Sequence, residues 1–209
     1  MNITFIFFIG LFFAMIGVIP PGLLNMTAAK ISLKEGHVRG IMFSLGVCSI
    51  VLVQTYLASV FARYLSMHPE VIGVLRAVAL VIFILITIYF LFVAKSAPKQ
   101  QIEPKIKSKH SRFFQGVFLS AINVFPIPYQ AYMTIMLASY GWMTFEKSSI
   151  LSYVLGAAIG TFVTLYMYIF FFDKIKGKTF TSQKNMNRII GGITGVIAIV
   201  TIVKIIQDT

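Results

Sequence analysis

Apolar residues fill the chain in six long stretches separated by short charged segments, and two of the stretches are broken by Pro, Gly and Asn. The first stretch begins near Ile3 and meets no charge until Lys30. The second runs from about Val38 to Leu65 and the third from Val71 to Ala94. A polar loop over 95–112 carries Lys95, Lys99, Lys105, Lys107, Lys109 and Arg112. The fourth stretch starts at Phe113 and stays uncharged to Phe145, the fifth runs from Ser148 to Phe172, and the sixth from Met186 to Ile206. A spanning helix needs about 20 mainly apolar residues. The pattern therefore predicts an all-α polytopic membrane protein with six transmembrane helices.

The breaks are Ile19-Pro20-Pro21-Gly22-Leu23-Leu24-Asn25 and Asn123-Val124-Phe125-Pro126-Ile127-Pro128-Tyr129. Hydrocarbon offers no water to satisfy freed backbone groups, so irregular backbone survives there only inside protein or beside a wet cavity. Paired interruptions in two halves point to a transporter's binding site. At the first break, two prolines and a glycine end one helix and start another near Gly22. The free N–H groups of the new helix form a positive end suited to a carboxylate, with Asn25 one turn in. A structural kink is the competing explanation, because Pro and Gly are frequent in spanning helices. At the second break Asn123, Pro126 and Pro128 are followed by Tyr129, Gln130 and Tyr132. Unpartnered amides are costly in lipid, so Gln130 is expected to face protein, either at a site or in an interhelical hydrogen bond. Gln54 is the most polar residue deep in the second stretch, with Thr161 and Thr164 as its loose counterparts, and it reads equally as a polar contact or a substrate contact.

Composition sharpens the class. The chain is 58% hydrophobic and 11% charged, against about 25% charged for a soluble domain. No segment is long and polar enough for a separate soluble domain. The net charge of +12 sits in short loops, which points to anionic lipid headgroups of the bilayer rather than nucleic acid. Cys48 stands alone and His37, His68 and His110 are scattered, so neither a metal site nor a cofactor is expected. The first residues carry no Lys or Arg, unlike a cleaved signal peptide, and read as a retained span.

Basic residues set orientation. With the N-terminus outside, the inner segments hold Lys30, Lys34, Arg39, the six basic residues of 95–112, and Lys174, Lys176, Lys178, Lys184 and Arg188. The outer segments hold Arg63, Arg76, Lys147 and Lys204. Both termini are thus predicted on the non-cytoplasmic side of a bacterial plasma (inner) membrane. The loop at 95–112 separates a first repeat, 1–94, from a second, 113–209. With three spans each, the halves face opposite ways, a 3+3 inverted repeat. Each half has an early proline break, small residues in the next span (Gly46 and Ser49; Gly156 and Gly160), and an arginine opening the last (Arg76; Arg188). Gly156-x-x-x-Gly160 permits close helix approach, within the fold or between subunits of a homodimer. Gly191, Gly192 and Gly195 read the same way.

The acidic residues Glu35, Glu70, Glu103, Glu146, Asp173 and Asp208 all fall at or beyond helix ends. No mid-membrane carboxylate or histidine offers a proton relay, and no nucleophile–base set suggests an enzyme.

Pro21-Gly22, Asn25, Gly36-His37-Val38-Arg39-Gly40 and Leu45-Gly46 resemble the start of the LysE/RhtB family of amino-acid exporters. That family has a Pro-Gly-Pro segment near the end of the first helix and a Gly-x-x-x-Gly segment about fifteen residues on. The Asn123 to Pro128 break is similar to the family's Asn-Pro break. Leu23 replaces the second family proline, with Pro20 added before it, and Gly46-Val47-Cys48-Ser49-Ile50-Val51 lacks the acidic residue many members carry there. The resemblance implies a six-helix exporter of amino acids or similar zwitterions, driven by the proton gradient, with Pro20, Pro21, Gly22, Asn25, Asn123 and Pro126 lining the path. The residues and the resemblance together predict a secondary exporter of small amino acids working by alternating access. Its expected substrate-binding residues are Pro20, Pro21, Gly22, Asn25, Gln54, Asn123, Pro126, Pro128 and Gln130. An inorganic or metal-ion exporter and a non-transporting membrane assembly subunit are the alternatives.

Overall fold

The computed structural model describes residues 2–20, 22–68, 71, 80–81, 84–85, 87–93, 108–175, 192, 195, 199 and 202–203. Pro21, most of the third and sixth stretches, the loop over 94–107, Arg76, Arg188 and Gly191 lie outside the described residues. Among the described residues the regular structure is helical. It comprises α1 (Ile3–Val18), α2 (Leu23–Glu35), α3 (His37–Met67), a π-helical turn (Tyr89–Val93), α4 (Lys109–Ile122), α5 (Pro126–Ser139) and α6 (Lys147–Ile175).

Local chemistry sets the helix ends. Asn2 opens α1 by accepting a hydrogen bond at its Oδ1 from the Thr4 N–H, 3.0 Å. Ser108 does the same for α4 through the Ser111 N–H. Both side chains satisfy a donor that a helix start leaves without an intrahelical partner. Pro126 sits in the first turn of α5, where proline's missing N–H removes nothing. Gly36 alone joins α2 to α3, at φ 93° and ψ 155°, a backbone region open essentially to glycine.

α3 and α6 are long and apolar enough to cross a membrane, and α1 with α2 make a third such element, bent by 80° at the first break. The fourth stretch begins four residues earlier than the sequence suggests, at Lys109. Arg112, assigned above to the polar loop, is therefore a helical residue, and it is buried. Sequence hydropathy discards an arginine from a span, whereas here a carboxylate is present to receive it.

Contacts gather the chain into two compact units, Met1–Ser66 with Pro104–Ile175, and Met67–Glu103 with Lys176–Thr209. In the second unit a Cβ built on Gly195 would meet Thr87 Cγ2 at 3.5 Å, ordinary packing distance.

Glycines organise the first unit. A Cβ on Gly46 of α3 would overlap the Phe113 carbonyl of α4, and one on Gly116 of α4 would overlap the Phe43 carbonyl of α3. A Cβ on Gly156 of α6 would overlap the Phe7 carbonyl of α1, one on Gly160 the Leu11 carbonyl, and one on Gly10 of α1 the Tyr153 carbonyl of α6. Backbones thus touch directly in two places, α3 on α4 and α1 on α6, as small residues permit where lipid supplies no hydrophobic drive. Each contact joins the first helix of one sequence half to the long helix of the other.

The remaining helices join these pairs. Ser32 of α2 donates to the Ile169 carbonyl of α6 at 3.2 Å, and Tyr168 packs on Ala29 and Met26. Ala131 of α5 packs on Ala58 and Ala62 of α3. Two groups result, α1–α2–α6 and α3–α4–α5. They meet along a seam with an apolar cluster at each end. One cluster sets Leu24, Ala28 and Ile31 against Phe43, Val47 and Val51. The other sets Leu137 of α5 against Ile6, Ile150, Tyr153 and Val154.

Candidate functional site at the two helix breaks

The chain must answer for every carbonyl freed at a break, because a buried polar group without a partner costs about 1–3 kcal/mol. At the first break the answer comes from two helices. Asn25, 4% exposed, turns its amide back so that Nδ2 donates to the Val18 carbonyl at 2.5 Å and the Pro20 carbonyl at 2.9 Å. Tyr168 of α6 donates its hydroxyl to the intervening Ile19 carbonyl at 2.7 Å. The positive end of α2 is different. Gly22 precedes its first turn with no side-chain cap, so its leading N–H groups remain for an anion.

At the second break Gln54 of α3 performs the capping. Its Nε2 donates to the Ser120 carbonyl at 3.1 Å and the Asn123 carbonyl at 3.0 Å. Its Oε1 is buried and has no partner among the described residues, so a deep acceptor stands at the end of α4, where the helix dipole is negative. Gln130 is also buried, and its Oε1 accepts a hydrogen bond from the Tyr153 hydroxyl at 2.6 Å.

Tyr129 ties the breaks together. Its hydroxyl donates to the Phe13 carbonyl of α1 at 2.8 Å, its ring stacks on Phe125, and a Cβ on Gly17 would strike that ring. The second break therefore lies against the last turn of α1, immediately before the first.

Of the nine residues proposed from sequence, the structure buries Asn25, Gln54 and Gln130 and engages each with protein. Gly22, Asn123 and Pro126 are half-buried, Pro20 and Pro128 are exposed, and Pro21 lies outside the described residues. Tyr132, expected beside Gln130, points outward at 63% exposure. Tyr153 and Tyr168 went unrecognised in the sequence. The signal was present, since a tyrosine hydroxyl deep in an apolar run needs an acceptor.

One ionic contact was also missed. Glu35, the last residue of α2, and Arg112 of α4 form a buried two-point pair, with Nε donating to Oε2 at 2.8 Å and Nη2 to Oε1. Arg112 Nη1 also donates to Gln115 Oε1. Arg39 of α3 donates to the Glu35 backbone carbonyl at 2.9 Å. This end of the unit, the basic end, also carries the exposed Lys30, Lys34 and Lys109.

Removing the Gln54 amide has a definite expected result. Gln54→Leu fills the space but strands two carbonyls, and at about 1–3 kcal/mol each the purified protein is expected to melt several degrees lower in detergent. An unchanged melting temperature would show that the caps at the second break are dispensable.

Apolar helices of spanning length, one pair of them bent at a break, define a helical membrane protein. Residues 15–208 match the LysE type translocator family, and the chain belongs to it. No curated protein and no solved structure matches the chain.

Proposed function

We propose that the protein is a secondary exporter of small amino acids or related zwitterions in the bacterial plasma membrane. The observation that carries this is the pairing of two helix breaks, one presenting N–H groups with no side-chain cap at Gly22 and the other capped by Gln54 of α3, whose buried Oε1 has no partner among the described residues. An amino acid needs both an anion site and an ammonium acceptor. In this reading the carboxylate sits at the start of α2, the ammonium turns to Gln54 Oε1 and the negative end of α4, and Asn123 lies beside it. Asn25 and Gln130 act mainly by holding the breaks in shape.

The basic end faces the cytoplasm and both termini lie outside. The two halves form an inverted repeat, a reading supported by the matching glycine contacts. Phe7 and Gly10 are spaced along α1 as Phe113 and Gly116 are along α4, and Phe43 and Gly46 along α3 as Tyr153 and Gly156 along α6. Because those contacts cross between halves, the bodies that rock are α1–α2–α6 and α3–α4–α5 rather than the two sequence halves.

The test is efflux of a labelled amino-acid mixture from proteoliposomes, with and without an imposed pH gradient. A Cβ at Gly22 would have nothing nearer than 3.8 Å, and its φ of −122° suits any residue. Gly22→Leu is therefore expected to insert and fold normally while efflux drops to background. Full efflux from Gly22→Leu would remove the start of α2 from the path.

A further inference from the structure

We propose that Glu35 and Arg112 form a charged latch between the two helix groups, closed in this structure and opened once in every transport cycle. The inference rests on the exporter reading for its cycle but names residues outside that site. Glu35 belongs to α2 and so to the group α1–α2–α6. Arg112 belongs to α4 and so to the group α3–α4–α5. The pair is the bidentate, buried kind, and it crosses the seam at the basic end.

Its energetics suit a contact that must come apart. Two charges taken out of water lose hydration about as fast as they gain attraction, so a buried ion pair stabilises little compared with apolar residues of the same size. Parted and wetted, each charge regains its hydration. Closed and open states of such a contact are therefore close in free energy, whereas a purely apolar seam resists opening in proportion to the area exposed. A half-broken state, with the pair parted but its charges still dry, is strongly disfavoured. The latch is thus two-state.

The surrounding backbone allows the motion. α2 is a 13-residue arm bounded by the Pro20–Gly22 break and by Gly36. A Cβ built on Gly36 would meet nothing within 4 Å, so this corner is not wedged by neighbours. Across the seam, Gly40 of α3 lies against Ser32 and Ala28 of α2 and Ile169 of α6, a small-residue surface over which α2 can slide. Arg39 on the Glu35 carbonyl and the His37 ring stacked on Phe170 at 4.4 Å complete the closed arrangement. The far end of the seam is closed by Ile6, Leu137, Ile150 and Val154, so among the described residues the charged contact distinguishes the basic end.

The test links the latch shut. In a Cys48→Ala background, Glu35→Cys and Arg112→Cys are combined and bridged by a reducible bifunctional thiol reagent. Removing both charges together strands neither, so the unbridged protein is expected to move labelled amino acids. Bridging is expected to lower efflux about tenfold or more, as for a two-state element held on one side, and reductant to restore it. Efflux unaffected by the bridge would overturn the latch and leave the pair a static brace. A second readout needs no substrate. Ile31, buried in the seam one turn before Glu35, is changed to Cys in the same Cys48→Ala background and its labelling rate by a membrane-impermeant maleimide is followed. Adding Glu35→Gln is expected to raise that rate several-fold in protein that still elutes as a single folded species. An unchanged rate would overturn the proposal even if the protein transports no amino acid, so failure of the latch and failure of the exporter reading are told apart.

Discussion

Gly156→Val is expected to yield almost no folded protein. A Cβ at this position would overlap the backbone carbonyl of Phe7, and its next neighbours are also backbone, Phe7 C and Leu11 N. A flexible side chain could swing aside, but two helix backbones can yield only by separating. Small-to-large changes in a packed interior cost about 1–3 kcal/mol when the surroundings can adjust. Here the adjustment would part α1 from α6 along its length, including the Ser152 hydrogen bond to the Ile3 carbonyl at 2.7 Å. Gly46→Val should fail equally, because the Phe113 carbonyl occupies the corresponding place on α4. Gly22→Ala is the internal contrast, because a Cβ there would make only ordinary contacts, the nearest at 3.8 Å. Fluorescence-detected gel filtration of the three variants checks this. A monodisperse Gly156→Val peak at wild-type yield would mean that α1 and α6 do not pack as described.

Asn25→Asp is expected to be the most damaging isosteric change at the breaks. The Asn25 Nδ2 group donates to two carbonyls. An ionised carboxylate in its place would aim an acceptor at both of them in a buried setting. A lone buried charge costs about 3–5 kcal/mol, which for a chain of this size corresponds to a melting temperature lower by roughly 6–20 °C. Asn25→Ala removes the donors without adding a charge and should fall between wild type and Asn25→Asp. The pH dependence identifies the cause. Protonation of the new carboxyl removes that charge. The Asn25→Asp deficit should therefore shrink as pH falls, once the carboxyl can donate a proton to one carbonyl, whereas the Asn25→Ala deficit should not. Melting curves across pH decide between them, and a flat Asn25→Asp profile would dismiss the charge explanation.

How much of this was legible in the sequence depended on whether the signal was local. The helical class, the breaks at Pro20–Gly22 and Asn123–Pro128, and the burial of Gln130 followed from residue types in their own windows. Gly156 and Gly160 announced a close approach, although not that α1 would be the partner. What the sequence did not reveal was pairing across the chain. Nothing local indicates that Gln54 would cap Ser120 and Asn123, that Tyr168 would reach Ile19, or that Glu35 would meet Arg112. Arg112 was set aside for a physical reason. A charge at the edge of an apolar run is normally solvated, and only the arrival of a carboxylate from another helix makes its burial tolerable. The amides illustrate the same limit from the other side. Asn25, Gln54 and Gln130 were singled out as polar groups in apolar surroundings, and the structure shows how much of their bonding capacity the protein itself consumes.

The crossed glycine contacts also bear on how the chain is made. The helix α1, made before the other five, has its backbone partner in α6, and α3 has its partner in α4. Until the second half is synthesised, the bare glycine faces of α1 and α3 and the Ile19 carbonyl awaiting Tyr168 have only lipid or an insertase beside them. The pairing of α3 has to wait for α4, and that of α1 for α6. A nascent chain halted before α4 accordingly lacks both of these backbone contacts, although α2 can already pack on α3. Two fragments cut within 95–107 are expected to gain resistance to proteolysis only when produced together.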